Sequence, residues 1–219
     1  MKAEQIKHYT ADCLRTWKNP NTSLLNKEDL AQVSEEMQTY IKDVVMNART
    51  YEEIAHIIAG LSAEILSELE PAFAFRDTVN IKEEVGDIQY FLFILADRSG
   101  IDLTAAYDSS FTVRFDNPAI AKLCVDSPFK CLKYHAGELI DMLKKVHIYK
   151  NPKYGYKDIE AAALRLQISI ERVANKNNFT ASEAIENVIA KLKERFKEAF
   201  TVEEVSDRNL EAERKALEA

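Results

Sequence analysis

Residues 80–97 read NIKEEVGDIQYFLFILAD. From Ile88 to Leu95 the segment is apolar nearly all round the helical wheel, which predicts a helix at the centre of the fold. Its opening turns nevertheless carry Glu83, Glu84 and Asp87. A core helix that begins with three carboxylates needs a reason for them. The preceding segment, YEEIAHIIAGLSAEILSELE (51–70), predicts a second helix. Ile54, Ile57, Ile58, Leu61, Ile65 and Leu69 form one apolar stripe in it, and Pro71 is its expected stop.

The rest of the chain reads the same way. Ala3 to Trp17 predicts a first helix, and KNPNTSLLNKED (18–29) breaks it. Leu30 to Asn47 reads as a polar amphipathic helix, and Thr50 as the cap of the next. Thr78 or Asn80 starts the central helix, Gly100 ends it, and Asp102 opens a shorter one. RFDNPAIAKLCVDSPFK (114–130), with Pro118 and Pro128, reads as a connection. Helices over Phe129–Tyr149, Lys157–Lys176 and Ala181–Phe200 follow, then a charged tail from Glu203. Only 5 Gly and 5 Pro among 219 residues fit an all-α fold, because turn-rich β folds need many of both.

The formal charge of -7 argues against broad binding to nucleic acid or anionic membranes. Three cysteines without a CxxC spacing suit free thiols in a reducing compartment better than a disulfide framework. Cys124 and Cys131 have no base partner at a readable spacing, so no nucleophile is assigned. The 4 His residues make no HExxH motif, which leaves a zinc protease unsupported. The opening MKAEQIKHYT lacks the apolar core of a signal peptide, and no apolar run reaches the roughly 20 residues of a membrane span. The expectation is a soluble cytoplasmic protein.

Acidic residues fill 36 of 219 positions, so i, i+3 pairs arise roughly six times by chance on solvated helix faces. Context raises the weight of two pairs. Glu84 and Asp87 share a face at the entry of the most apolar helix, and Glu64 and Glu68 share a face of the helix before it. Two helices joined by a short loop pack antiparallel, which would bring the pairs together. Desolvation and mutual repulsion oppose such a cluster unless a hard cation such as Mg²⁺ occupies it. Gly86, without a side chain, leaves room for a neighbouring backbone or a substrate.

These residues resemble a known family. GLSAEILSELE (60–70) followed by EEVGDIQYFLFILADRSGIDL (83–103) is similar to the MazG-type all-α nucleoside triphosphate pyrophosphohydrolases, with ExxE on one helix and ExxD on the next. HAGELIDMLKKVHIYKNPKYG (135–155) resembles a second family segment. IAKLKERFKEAFTVEEVSDRNLEAERKALE (189–218) resembles the C-terminal tail of many phage and bacterial members. The departures are specific. Ser67 stands where the second Glu of ExxE belongs, with Glu68 adjacent. His135 replaces a Glu in the second segment, Glu138 remains, and the second ExxD becomes Ala162 and Arg165.

The two halves also echo each other. ILADRSGIDLTAA (94–106) matches RVANKNNFTASEA (172–184) in order, and LSAEILSELE (61–70) matches YHAGELIDML (134–143). The resemblance therefore implies a MazG-like helical bundle of two related halves packed as a pseudo-dimer. Residues 1–115 would be the working half and 116–219 a degenerate one.

The resemblance further implies a hydrolase acting on acid anhydrides, a nucleotide pyrophosphohydrolase of nucleotide metabolism that converts a (d)NTP and water to (d)NMP and pyrophosphate. Mg²⁺, with Mn²⁺ as an alternative, would be held by the catalytic set Glu64, Glu68, Glu84 and Asp87. Lys144, Lys145, Lys150 and Lys153 are the expected clamp on the substrate phosphates, although lysines at a helix C-terminus are also favoured by the dipole. Tyr154 and Tyr156 are candidates to stack a base, and Trp17 and Phe91–Phe93 belong to the core. Glu83 is a candidate to support the metal ligands or act as general base, although helical spacing turns it about 100° away from Glu84. A homo-oligomer is expected, with neither nucleic acid nor membrane as partner. The competing reading is a catalytically impaired nucleotide-binding or protein-interaction module, which the lost ligands in both halves favour. A helical protein that only dimerises through apolar faces explains the periodicity but not the carboxylates.

Overall fold

The structure, a computed structural model, describes residues 3–17, 51–107, 118–196 and 209–218. The break at 18–29, the helix expected over Leu30–Asn47 and the Thr50 cap lie outside the described residues. Those described are all-α, with no strand among them. The elements are α1 (Ala3–Thr16), α2 (residues 51–75), α3 (Thr78–Ser99), α4 (Pro118–Asp126), α5 (Pro128–Leu143), α6 (Tyr156–Lys176), α7 (Ala181–Arg195) and α8 (Leu210–Glu218). Among the described residues no helix is long and apolar enough to cross a membrane.

α3 is the central helix its sequence predicts. Asp77 caps it by accepting a hydrogen bond from Asn80 N at 3.1 Å. Gly100, at φ 66°, ends it in the left-handed conformation that glycine adopts without strain. Ile88, Leu92, Phe93, Ile94 and Leu95 are all fully buried. Helices α1, α2, α6 and α7 pack around them, and one continuous apolar core runs from Ile6 through Ile94 to Ile189.

Two expected breaks are corrected. Pro71 does not end α2. The helix widens into a π turn over Glu64–Leu69 and resumes as α-helix over Glu70–Phe75, so Pro71 falls in the first turn of the new segment, where a missing N–H costs little. The connection at 114–130 contains a helix of its own, α4, and Pro128 starts α5 behind a Ser127 cap. The tail is likewise ordered against the bundle at its end. Asn209 caps α8, Arg195 forms a paired contact with Glu213, and Asn187 donates to Leu217 O at 2.7 Å.

The echo between the halves extends to backbone hydrogen bonds. At the end of α3, Gly100 N donates to Asp97 O and Ile101 N to Ala96 O, at 3.2 and 2.8 Å. At the end of α6, Asn178, at φ 63°, donates to Asn175 O and Phe179 N to Ala174 O, at 3.3 and 3.2 Å. In both places a capping side chain follows directly: Asp102 accepts from Thr104 N and Thr180 from Glu183 N. The same C-terminal motif thus recurs, followed in each case by a side-chain cap, of the i+2 kind at Asp102 and the i+3 kind at Thr180.

Gly86 marks the closest approach of α3 and α7. A Cβ there would stand 2.4 Å from Ala184 O and 2.6 Å from Val188 Cγ2, so of the two options the sequence leaves, a neighbouring backbone fills the space. Gly86→Ala must push the helices apart. The expected cost is about 1–3 kcal/mol, read as a lowered midpoint in urea unfolding at unchanged m.

Candidate metal centre

The antiparallel meeting of α2 and α3 brings Glu64 together with Glu84 and Asp87. One carboxylate oxygen of each lies within 4.8 Å of the other two. Glu84 and Asp87, three residues apart, face one way as helical geometry requires. Glu84 is only 8% exposed, and its Oε2 is buried with no hydrogen-bond partner. That oxygen belongs to a residue clustered with two further carboxylates, a set of oxygen donors able to hold a hard cation.

Among the described residues one cation reaches this site, and it is not among those the sequence pointed to. Lys191 of α7, 5% exposed, donates to Asp87 Oδ2 at 2.6 Å and to Glu83 Oε1 at 3.0 Å. Burial alone would push its ammonium down, but Asp87 and Glu83 outweigh that and hold it well above the ordinary lysine value. Lys191 continues the row Ala184–Val188 on the buried side of α7, so a lysine in line with an apolar stripe was the available signal. Among the described residues these four carboxylates share one ammonium and are short of positive charge. All donors are oxygens, which suits a hard divalent cation such as Mg²⁺.

The electrostatics record that shortage. Burial, then the Asp87 charge, push Glu64 up to about 7, with Glu68 adding to the effect and Lys191 opposing it. Burial and Asp87 push Glu84 higher still, reinforced by its hydrogen bond with Glu64. Both carboxyls ionise near 4.5 when unfolded and keep their protons to higher pH when folded. The folded state therefore binds more protons above pH 4.5, and stability falls as pH rises. The metal-free protein is expected to be more stable at pH 5 than at pH 8, losing up to about 1.4 kcal/mol per pH unit for each group within its window. Chemical denaturation across pH in a chelator measures this, and saturating Mg²⁺ should flatten the dependence.

The other predicted residues are placed as follows. Glu68 and Ser67 are both exposed on the π turn of α2, and Glu68 stands outside the three-carboxylate cluster while remaining near enough to repel Glu64. The four lysines are not brought to the carboxylates. Lys144 and Lys145 pair with Asp141, Lys145 also lies over Tyr154, and Lys150 lies over Tyr51. Tyr51 begins α2 and Glu64 lies thirteen residues on, roughly 20 Å along the axis. Lys153 is exposed in the same loop as Lys150. Neighbourhood in sequence did not become neighbourhood at the site.

The tyrosines pack locally. Tyr154 sits under Lys145, and Tyr156 OH donates to Gly100 O at 3.0 Å. Trp17 and Phe93 are buried as expected, with Trp17 stacked on His56.

In the second half, Arg165 grips Glu138 with two hydrogen bonds of 2.9 and 2.8 Å, and His135 Nδ1 lies 3.2 Å from the same carboxylate. His135 is 2% exposed, so it stands in the interior and not on a solvated helix face. A fixed guanidinium thus stands against the carboxylate that the second half retains. Cys124 and Cys131 form a disulfide, which corrects the expectation of free thiols for these two. Cys13 stays free and buried.

A cleft of about 560 Å³ lies between α1, the end of α3 and the turn at Leu103–Tyr107. Its wall at Asp97 is ten residues, about 15 Å, along α3 from Asp87. This cleft and the carboxylates are therefore at different ends of the central helix. Comparison with protein-family models, with characterised proteins and with solved structures finds no match to this chain.

Proposed function

We propose that the chain is a Mg²⁺-dependent nucleoside triphosphate pyrophosphohydrolase, releasing pyrophosphate and a nucleoside monophosphate, and that it is a MazG-like fused pseudo-dimer. The observation that carries this reading is the clustering of Glu64, Glu84 and Asp87, with one Glu84 oxygen buried and without a hydrogen-bond partner. Glu64, Glu84 and Asp87 would hold the ion. When bound, it supplies Lewis-acid neutralisation of phosphoryl oxygens and lowers the pKa of water.

The remaining roles belong to the chain. Lys191 fixes the Asp87 and Glu83 carboxylates by direct hydrogen bonds, so neither swings away when a polyanion approaches. Glu83, held in this way beside the cluster, is the group assigned to accept the proton of the water that attacks the α-phosphorus. The apolar wall of α3 behind the carboxylates keeps bulk water from screening them. The repeated helix ends of α3 and α6 support the pseudo-dimer, and the Glu138–Arg165 pair supports a second half without a metal. A homo-oligomer remains part of the proposal.

A second reading, a nucleotide-binding or protein-interaction module without turnover, is favoured by that same Arg165 pair and by the exposure of Ser67 and Glu68. A panel of ribo- and deoxyribonucleoside triphosphates with Mg²⁺, scored for pyrophosphate and monophosphate, separates the two. Pyrophosphate from one or a few substrates, abolished by chelation, supports the enzyme. Nucleotide binding without any product supports the module.

A further inference from the structure

A second cluster of ligating atoms lies far from the carboxylates in the sequence and is used by nothing above. Cys124 comes from α4, and Cys131 and His135 from one face of α5, four residues apart. All three are buried, and a ligating atom of each lies within 4.8 Å of the other two. Cys124 Sγ is 3.8 Å from His135 Nε2. Two atoms bound to one tetrahedral zinc at about 2.3 and 2.0 Å stand roughly 3.5 Å apart, so the observed spacing needs little change.

The histidine is also oriented as a ligand. Glu138 lies 3.2 Å from Nδ1, and a carboxylate held by Arg165 is an acceptor. Nδ1 therefore carries the proton, and the Nε2 lone pair faces the cysteine sulfurs. A carboxylate behind a metal-binding imidazole fixes ring and tautomer in this way. A cavity of about 480 Å³ is lined by Cys124, Val125, Pro128, Arg172, Asn175 and Lys176. It gives solvent a route to the fourth coordination position.

We propose that Cys124, Cys131 and His135 form a redox-gated site for a borderline-soft divalent cation of the zinc class. With both cysteines reduced, the two Sγ and His135 Nε2 take the ion. Oxidation closes the site as the Cys124–Cys131 disulfide and releases it. The oxidant class is a low-molecular-weight disulfide, and Arg172 and Lys176 at the cavity favour an anionic one. One cysteine thiolate attacks it to form a mixed disulfide, and the second cysteine displaces the remaining thiol. The two cysteines lose two electrons, the reagent gains two electrons and two protons from solvent, and it departs as two thiols. Soft sulfur donors separate this site chemically from the all-oxygen cluster of Glu64, Glu84 and Asp87.

The test is a Co²⁺ titration of the full chain, reduced and then freed of reductant, beside the same chain oxidised. The reduced chain should bind one thiolate-ligated Co²⁺ per chain, read from its charge-transfer band, and the oxidised chain should show no such band. A zinc-loaded reduced sample should release one equivalent to a chromogenic chelator when oxidised glutathione is added. His135→Ala should weaken Co²⁺ binding at least about 10-fold. Absence of the thiolate band in the reduced wild-type chain overturns the proposal without recourse to any variant. So does a band that persists undiminished in the Cys124→Ser/Cys131→Ser chain. The carboxylate cluster cannot give this band, so failure here is distinct from failure of the proposed hydrolase.

Discussion

Glu84→Gln makes the metal-free protein more stable and removes its response to Mg²⁺. In the wild type, burial and the Asp87 charge keep the Glu84 carboxyl from ionising in the folded state, while the unfolded chain ionises freely above about pH 4.5. At pH 7 that difference favours unfolding, and glutamine, which does not ionise in either state, abolishes it. The gain is roughly 1–3 kcal/mol at pH 7, shrinking towards zero as pH falls to 4.5. The sign identifies the cause, because an ordinary structural carboxylate would cost stability on replacement. Loss of the same oxygen takes a ligand from the proposed ion. Residues that merely support ligands cost 10–100-fold in affinity or activity, so hydrolysis by the variant should fall by at least about 100-fold. Denaturation at pH 5 and pH 8, beside a pyrophosphate assay, reads both effects in one construction.

Lys191→Met acts in the opposite direction. It leaves Glu83 and Asp87 facing each other and Glu84 without the ammonium 2.6 Å from Asp87. Removing one partner of a buried ion pair strands the other charge, which costs about 3–5 kcal/mol in the metal-free protein. A bound divalent cation would take over the compensation. Mg²⁺ should therefore raise the thermal midpoint of Lys191→Met by more than it raises that of the wild type. Removing one negative charge with Asp87→Asn in the same chain returns the cluster to its original net charge and should recover much of the lost stability, while Mg²⁺ binding stays absent. A double-mutant cycle on these positions measures the coupling directly.

What the sequence makes legible follows the range of each interaction. The limits of α3 are local: an Asp77-Thr78 start, a Gly100 end and an apolar run between them suffice. Glu84 and Asp87 are legible because three residues of helix fix their shared face. Glu64 joins them because α2 and α3 are joined by a turn at 76–77. Lys191 is not legible in this way, since it arrives 104 residues after Asp87 across a helix contact made close by Gly86. The lysine group at 144–153 meets the same limit: adjacent in sequence, these side chains settle on Asp141, Tyr154 and Tyr51. Pro71 was read as a stop because a π turn leaves no sequence mark. The Cys124–Cys131 pair follows no metal or redox spacing, and only the break between α4 and α5 turns the two sulfurs together.

The most direct measurement is calorimetric titration of Mg²⁺ into the metal-free chain at pH 7, with Glu84→Gln in parallel. The account predicts one ion bound per wild-type chain, with proton release as Glu64 and Glu84 ionise, and no binding by the variant. Equal binding by both proteins, or none by the wild type in the presence or absence of a nucleoside triphosphate, would contradict it.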